Sequence, residues 1–221
     1  MRLLKESETR EKKYFMSPIS FLDAKVEVPK EFAYENIMVK GSNFTGKTSK
    51  VLIPLYKEFK YGKLYITLSD NYAKKIINDS TIVIDMREKD TYMTTKEIVT
   101  FLIEGKDIYI NTNTMNYSKE SSKIVNEIFN TLLGNKGKLV TPVLIACDDL
   151  NLMMRINCLL KYLKSSVADR DKDINKNFYF ASTLCYTRQL IGAYKEEEVE
   201  EIKKYVTMVD VEKQPLQYNK E

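Results

Sequence analysis

Apolar residues fall into two patterns that alternate along the chain. Short, nearly continuous apolar runs have the length of buried strands, and longer segments between them carry apolar residues at helical spacing. The runs lie at residues 36–39, 63–68, 80–85, 107–111, 141–147, 178–182 and 206–211. Strands that are apolar on both faces are typical of parallel sheets covered by helices. We therefore predict an α/β fold, a mostly parallel β-sheet with helices on both faces.

The segments between these runs predict the helices. Helical spacing of apolar residues covers residues 47–60, 94–102, 118–133, 150–163, 187–193 and 195–205. Pro54 lies inside the first helix and should kink it or leave a backbone carbonyl without its donor. Residues 1–15 and 213–221 are polar ends, which are expected to lack stable structure. One domain is therefore predicted over residues 16–212.

The loop after the first strand contains a phosphate-binding pattern. Residues 41–48 read GSNFTGKT, which fits G-x-x-x-x-G-K-[ST] between a strand and a helix. In this pattern glycines let backbone N–H groups surround phosphates, the lysine reaches the β- and γ-phosphates, and the hydroxyl contacts Mg²⁺. The predicted nucleotide-binding residues are Gly41, Ser42, Asn43, Phe44, Thr45, Gly46, Lys47, Thr48 and Ser49.

The most apolar strand of the chain ends in two acidic residues. Residues 141–147 run directly into Asp148 and Asp149, and the carboxyl ends of parallel strands form one edge where ligands bind. Asp148 is therefore predicted to hold Mg²⁺ through water or the Thr48 hydroxyl. Asp149 is predicted to polarise the attacking water, which favours ATP hydrolysis over transfer to a bound acceptor. Lys47 and Asp149 are the catalytic residues of this hypothesis.

Composition excludes several kinds of chemistry. The chain has no histidine, which excludes Ser-His-Asp catalysis and histidine-ligated metal sites. Its three cysteines are widely spaced without a C-x-x-C pair, so they are predicted to be core thiols. A formal net charge of +4 only weakly favours nucleic acid as a partner. No apolar stretch has the length of a membrane span, and we expect a cytoplasmic protein without membrane insertion.

The order of these features resembles the FtsK/HerA superfamily of P-loop ATPases, which are RecA-like DNA-translocating motors. The resemblance covers about residues 36–194. GSNFTGKT is similar to the Walker A loop of the family, and FLIEGKDIYIN is similar to the segment before its next helix. PVLIACDD resembles the Walker B strand, and FYFAST resembles the sensor strand, followed by the helix-like stretch YTRQLIGAY.

The resemblance implies a function and a set of partners. It implies an ATP- and Mg²⁺-dependent motor that moves double-stranded DNA, either a viral genome-packaging ATPase or a conjugative coupling protein. A homo-oligomer in the form of a hexameric ring is implied, with a capsid vertex or a conjugation channel as its partner, in the host cytoplasm or the virion. Arg170 would complete a neighbouring subunit's site, with Arg155 as the rival position. Thr183, at the end of the sensor strand, would contact the γ-phosphate or its water.

Two departures from the family pattern keep other functions open. The family has a glutamate where Asp149 stands, and a glutamine at the end of the sensor strand. A nucleotide-binding scaffold that does not hydrolyse ATP is one alternative. A nucleoside or nucleotide kinase is the other, in which residues 85–88 (DMRE) would correspond to the arginine-bearing lid and the acidic residue that such enzymes carry soon after the second strand. Lysines of residues 161–164 and 172–176 are the candidate contacts to a DNA backbone.

Overall fold

The computed structural model describes residues 30–41, 45–87, 93–112, 119–139, 141–148, 156–170, 178–185, 196–212 and 217–219. These residues form a single sheet of eight strands. In chain order the strands are β1 (Ile37–Gly41), β2 (Lys63–Thr67), β3 (Ile82–Asp85), β4 (Asp107–Asn111), β5 (Val143–Cys147), β6 (Phe178–Cys185), β7 (Thr207–Asp210) and β8 (Gln217–Asn219).

Helices connect most of these strands. A π-helical turn, Lys47–Leu52, continues directly into α1. The α-helices are α1 (Ile53–Glu58), α2 (Ala73–Ile76), α3 (Thr95–Ile103), α4 (Lys119–Gly134), α5 (Ile156–Arg170) and α6 (Glu196–Lys203), and a short 3-10 helix (Lys30–Tyr34) precedes β1. The helix predicted over residues 187–193 lies outside the described residues. Among those described, no helix is both long enough and apolar enough to cross a bilayer.

The strand order is β3-β4-β2-β5-β6-β1-β7-β8. Every pairing from β3 across to β7 is parallel, and only β8 runs antiparallel to its neighbour β7. The predicted α/β fold with a mostly parallel sheet is therefore confirmed. β8 was not predicted, and it lies within the segment 213–221 that was expected to be a polar tail.

Alternate residues of each strand enter two separate apolar layers, because successive side chains of a strand point to opposite faces. Ile37 and Val39 of β1 pack in a layer with the π turn, α1 and α2. Met38 packs in the other layer, which contains apolar residues of α3, α4, α5 and α6. Helices thus cover both faces, as the sequence predicts. The π turn and α1 lie on the same face as Val39.

The helix that follows the first loop changes its hydrogen bonding just before Pro54. The Ile53 N–H donates to the Thr48 carbonyl, five residues back, instead of four as in an α-helix. Pro54 then lies in the first turn of α1, where a backbone N–H is not needed by the helix. The disturbance predicted at Pro54 therefore takes the form of a π turn.

A buried polar network fixes the start of β1. The Asn36 side-chain amide donates to Ser166 Oγ and to the Tyr205 carbonyl, both at 3.2 Å. Ser166 Oγ donates in turn to the Phe178 carbonyl at 2.9 Å. Because these groups are buried, losing one partner would leave an unsatisfied polar atom. The network holds β1 in place relative to α5, β6 and the turn before β7.

Candidate nucleotide site

Two glycines of the first loop occupy positions where a side chain is strained or does not fit. A Cβ on Gly41 would lie 2.6 Å from Val211 Cγ2 and 2.8 Å from Thr45 Oγ1. Gly46 has a φ of 88° and forms the N-cap of the π turn, a left-handed conformation that costs an L-residue with a side chain roughly 1–2 kcal/mol. At both glycine positions of the G-x-x-x-x-G-K-T pattern, a residue with a side chain would therefore be strained or would clash.

Lys47 lies inside this loop. Its side chain crosses back so that Nζ donates to the Gly41 carbonyl at 3.0 Å, and only 9% of the residue is exposed. The first turn of the helix contains no acidic residue, and Gly46 supplies no side-chain cap. Positive charge and the N-terminal end of a helix both favour an anion at this position. Thr45 and Ser49 are half-buried beside it, while Ser42, Asn43 and Phe44 lie outside the described residues.

Asp148 lies directly opposite the start of that helix. It follows β5 and accepts a hydrogen bond from Thr48 Oγ1 at 2.8 Å on its Oδ1 atom. The Thr183 hydroxyl donates to the same oxygen, also at 2.8 Å. Thr48, Asp148 and Thr183 therefore converge from the helix after β1, from β5 and from β6. The structure brings together the two motifs that the sequence places 100 residues apart.

The donor atoms at this point fit Mg²⁺. A carboxylate and a hydroxyl are hard oxygen ligands, and Mg²⁺ usually binds one or two such groups together with substrate phosphates and water. Among the described residues no group of three or more Cys, Asp or Glu residues forms a metal cage. Thr48 and Asp148 are therefore the residues that would hold Mg²⁺, with the nucleotide supplying further oxygen atoms.

Of the remaining predicted site residues, Arg170 lies away from the nucleotide loop, and the other two lie outside the described residues. Asp149 and Arg155 lie outside the described residues. Arg170 is the last residue of α5, which returns the chain from the carboxyl end of β5 to the start of the parallel strand β6. A 15-residue helix spans about 22 Å. The backbone of Arg170 is therefore at the opposite edge of the sheet from the loop at Gly41–Thr48.

Tyr65 is a site neighbour that the sequence did not indicate. It pairs with Ala146 across β2 and β5, is 1% exposed, and has a hydroxyl without a hydrogen-bond partner among the described residues. Burial, followed by the negative charge of Asp148, raises the pKa of this phenol well above its ordinary value. Its ring stacks on Tyr109 of β4, with centroids 6.0 Å apart. The tyrosine pair thus spans β4 and β2, and β2 is the neighbour of the strand that precedes Asp148.

A second polar cluster lies at the carboxyl ends of β2, β3 and β4. The Arg87 guanidinium binds Asp85 through a bidentate ion pair and reaches Asp70 at 2.7 Å. The Asn111 side-chain amide donates to Asp70. The hydrogen bond from Arg87 is the main cause that lowers the pKa of Asp85. Asp85 and Arg87, considered for the kinase alternative, are thus bonded to each other, and Glu88 lies outside the described residues.

The cysteines and one predicted lysine contact also have defined environments. Cys147 is a buried free thiol, as predicted, whereas the free thiol Cys158 is only partly buried. Burial raises the pKa of both thiols, and the side chain of Cys185 lies outside the described residues. Lys164, a candidate DNA contact, forms an ion pair with Glu201 of α6 at 3.0 Å. Lys204 binds the same carboxylate at 2.8 Å, and these two partners lower the pKa of Glu201 to about 2.

Comparisons with known proteins find distant structural matches and no sequence match. No protein-family model matches the sequence, and none of the curated proteins matches it. The genome packaging NTPase of Sulfolobus turreted icosahedral virus 2, in complex with AMPPCP, matches with a TM-score of 0.47 and 9% identity, over 80% of this chain and 74% of that chain. The same NTPase with ATP-gammaS gives a TM-score of 0.44 and 11% identity, over 85% and 98%.

A protein of Pyrococcus horikoshii OT3 is a further match, with a TM-score of 0.41 and 11% identity over 84% of this chain and 86% of that chain. All of these likenesses are distant in sequence. They concern the arrangement of strands and helices, and no function follows from them.

Proposed function

We propose that this protein is a Mg²⁺-dependent ATPase of the P-loop class that moves DNA, in genome packaging or DNA transfer. The observation that carries the proposal is the 2.8 Å hydrogen bond between Thr48 and Asp148. It joins the glycine-lysine loop to the acidic end of the most apolar strand. A phosphate loop and a metal-binding carboxylate at one point are the minimum that nucleotide hydrolysis of this kind requires.

Each residue of the loop has a separate task in this proposal. Lys47 is held 3.0 Å from the Gly41 carbonyl, inside the loop where the β- and γ-phosphates would lie, and its charge stabilises the negative charge of the transferred group. Mg²⁺, when held by Thr48 and Asp148, neutralises further phosphate charge. Asp149, the next residue after Asp148, is proposed to orient the attacking water.

Arg170 is proposed to act on a neighbouring subunit. Its backbone lies at the end of α5, at the edge of the sheet where the parallel strands begin, which we call the amino edge. It is therefore remote from the nucleotide loop of its own chain. An arginine supplied from a neighbour can contribute about 1,000-fold or more to the rate of phosphoryl transfer. A ring in which the amino edge of one subunit approaches the carboxyl edge of the next would bring the two together, and a hexamer is the form we propose.

The proposal is tested by measuring ATP binding and hydrolysis with different additions. Turnover of the purified protein would be followed without nucleic acid, with double-stranded DNA, with single-stranded DNA and with RNA, at constant salt because backbone binding is salt-dependent. Double-stranded DNA should raise turnover most. The same samples, measured by light scattering, should show larger assemblies when ATP and DNA are present.

Other outcomes identify the alternatives. Phosphate transfer to a nucleoside or nucleotide acceptor, with no effect of DNA, would replace the motor by a kinase. Tight ATP binding without turnover under every condition would indicate a scaffold subunit. Failure to bind ATP with or without Mg²⁺ would overturn the phosphate-loop assignment itself.

A mixing experiment tests Arg170 separately. Arg170→Ala should lose most turnover and keep ATP binding, and Lys47→Ala should also be inactive. In mixed oligomers an intact loop from the first variant can meet an intact arginine from the second, so activity should partly return. A mixture as inactive as either parent, in oligomers shown to exchange subunits, would contradict action on a neighbour.

A further inference from the structure

One carboxylate oxygen of Asp148 is held between two hydroxyl groups. Thr48 Oγ1 and Thr183 Oγ1 each donate to Asp148 Oδ1 at 2.8 Å. Hydrogen bonds from hydroxyls to an ionised carboxylate are short and strong. The two donors come from different elements, the π turn and β6. The orientation of Asp148 is therefore set from both sides.

The position of Thr183 is fixed by its strand. β6 lies between β1 and β5, and Thr183 pairs with Val39 on one side. On the other side Ser182 pairs with Cys147, and the Ser182 hydroxyl donates to the Cys147 carbonyl at 2.9 Å. Thr183 is 1% exposed. Its hydroxyl is thus presented to Asp148 by backbone pairing on two sides.

The chemistry of a hydroxyl limits what Thr183 can do. A threonine hydroxyl has one hydrogen to donate and lone pairs that accept. Since that hydrogen is donated to Asp148, Thr183 cannot donate it to a γ-phosphate at the same time. Thr48 donates its hydrogen to the same oxygen, and its lone pairs remain the part of the group that suits a metal ion. The two threonines therefore differ in role although they share one acceptor.

We propose that Thr183 is a positioning residue that orients Asp148 for metal binding and does not contact the γ-phosphate. The inference rests on the proposed function only in requiring Mg²⁺-nucleotide binding at this site. It differs from the expectation that Thr183 contacts the γ-phosphate or its water. Its consequence is that ADP and ATP depend on Thr183 to the same extent, and only when a divalent cation is present.

Equilibrium binding of ATP and ADP, each with Mg²⁺ and with EDTA, tests this role in the 221-residue chain. Thr183→Val removes the hydroxyl and keeps the β-branched shape suited to a strand. It should weaken Mg²⁺-ATP and Mg²⁺-ADP binding by the same factor, about 10-fold, as is typical when a residue that supports a metal ligand is lost. Binding in EDTA should not change. Thr183→Ser should restore both affinities to within about threefold.

Two results would overturn the role. Loss of ATP affinity with unchanged ADP affinity would assign Thr183 to the γ-phosphate. Unchanged binding of both Mg²⁺ complexes would show that the hydrogen bond to Asp148 has no effect on the metal. If the wild-type protein binds neither nucleotide, the proposed function fails first, so the two failures are distinguishable.

A double-mutant cycle provides a second, independent measurement. In an Asp148→Asn background, Thr183→Val should cause no further loss of Mg²⁺-dependent binding, because its acceptor has already been changed. An additive loss in the double variant would contradict action through Asp148. Thr183→Ala serves in the same cycle if the valine variant does not fold, which thermal unfolding in EDTA would reveal.

Discussion

Two regions on the carboxyl edge of the sheet contain similar residues and use them differently. At the ends of β5 and β6, Asp148 accepts hydrogen bonds from the hydroxyls of Thr48 and Thr183. At the ends of β3 and β2, the carboxylates of Asp85 and Asp70 are both bonded to the guanidinium of Arg87. We call these the hydroxyl-held region and the arginine-held region. The hydroxyls are neutral, whereas Arg87 is a cation.

This difference decides whether a carboxylate is only oriented or is also neutralised. A hydroxyl orients a carboxylate without cancelling its charge, whereas a guanidinium both orients and neutralises it. A carboxylate held by hydroxyls keeps its attraction for a cation such as Mg²⁺. One held by arginine instead joins the segments that carry the two partners. The hydroxyl-held region therefore suits ligand binding. The arginine-held region stabilises the adjacent ends of β2, β3 and β4.

The largest contrast is expected between Lys47, which precedes Thr48 of the hydroxyl-held region, and Arg87 of the arginine-held region. Lys47→Ala should reduce ATP turnover by about 100-fold or more, because the ammonium stabilises charge on the transferred phosphoryl group. Arg87→Ala should leave turnover within about twofold and lower the temperature of unfolding, since Asp85 and Asp70 lose their shared partner. Steady-state hydrolysis and thermal unfolding measure the two effects.

Lys50→Ala is the matched control for the lysine, because Lys50 is in the same turn and two residues beyond the pattern. Its turnover should stay close to that of the wild type. A strong loss of turnover in Arg87→Ala, with the fold retained, would erase the distinction between the regions and would favour an acceptor site at Asp85.

The next contrast is between the two aspartates. Asp148→Asn should weaken Mg²⁺-dependent nucleotide binding by about 10- to 100-fold and leave binding in EDTA unchanged. Asp85→Asn should change neither, because Arg87 already compensates that carboxylate. Titration calorimetry with Mg²⁺ and with EDTA checks both variants. Equal losses in the two would mean that the metal site extends across both regions.

A smaller effect is expected for Tyr65 on β2 and Tyr109 on β4. The Tyr65 hydroxyl is buried without a partner among the described residues, whereas the Tyr109 hydroxyl donates to the Ser69 carbonyl at 3.4 Å. Tyr65→Phe should therefore leave the free energy of unfolding unchanged or slightly higher, and Tyr109→Phe should lower it by about 0.5–1 kcal/mol. Urea unfolding compares the two. A larger loss in Tyr65→Phe would mean that its hydroxyl is bonded in solution.

The smallest effect is the pH dependence of the arginine-held region. The hydrogen bond from Arg87 lowers the pKa of Asp85 below its ordinary value of 3.8, so the ionised form stabilises the fold above that value. The contribution is lost as the pH falls below 3.8 through the pKa of the folded state. Because Arg87 is 45% exposed, solvent screening should keep this contribution small.

This dependence is measured by comparing the wild type with Asp85→Asn. The difference in their free energy of unfolding should be present at pH 7 and should shrink at pH 3. A difference of the same size at both values would assign the stabilisation to shape and not to charge.

The hydroxyl-held region could be predicted in large part because its signals are local. Gly46, Lys47 and Thr48 stand together in one loop, and Asp148 directly follows an apolar strand. The rule that carboxyl ends of parallel strands share an edge is enough to bring the loop and the aspartate to the same place. The contact between Thr48 and Asp148 was expected on this basis.

The hydrogen bond from Thr183 to Asp148 and the arginine-held region could not be predicted in this way. Both depend on which strands are neighbours, and hydrophobic periodicity gives the positions of strands but not their order. Placement of β6 between β1 and β5 brings Thr183 to Asp148. The order β3-β4-β2 lets Arg87 reach Asp70 across two strand spacings. These contacts are products of topology.

Other differences have local physical reasons. The helix predicted over residues 150–163 is described from Ile156 and continues to Arg170. Its last residues are mostly polar, so the spacing of apolar residues did not indicate that they are helical. Ser166 in that stretch is fully buried and bonded to the Phe178 carbonyl, so it belongs to the core despite its polarity. β8 pairs with β7 through backbone groups, which leave no mark in the side-chain pattern.

The π turn has a consequence for anyone who redesigns this loop. It holds one residue more than an α-helical turn, and one residue corresponds to a rotation of about 100° around the helix axis. Thr48 and the buried side chains of α1, such as Leu55, are therefore offset from the phase that a regular helix would give them. Deleting one residue from 49–52 would make the helix regular, but it would turn the Thr48 hydroxyl away from Asp148 while the core contacts of Leu55 stayed in place. We therefore expect that the loop and its helix have to be exchanged together.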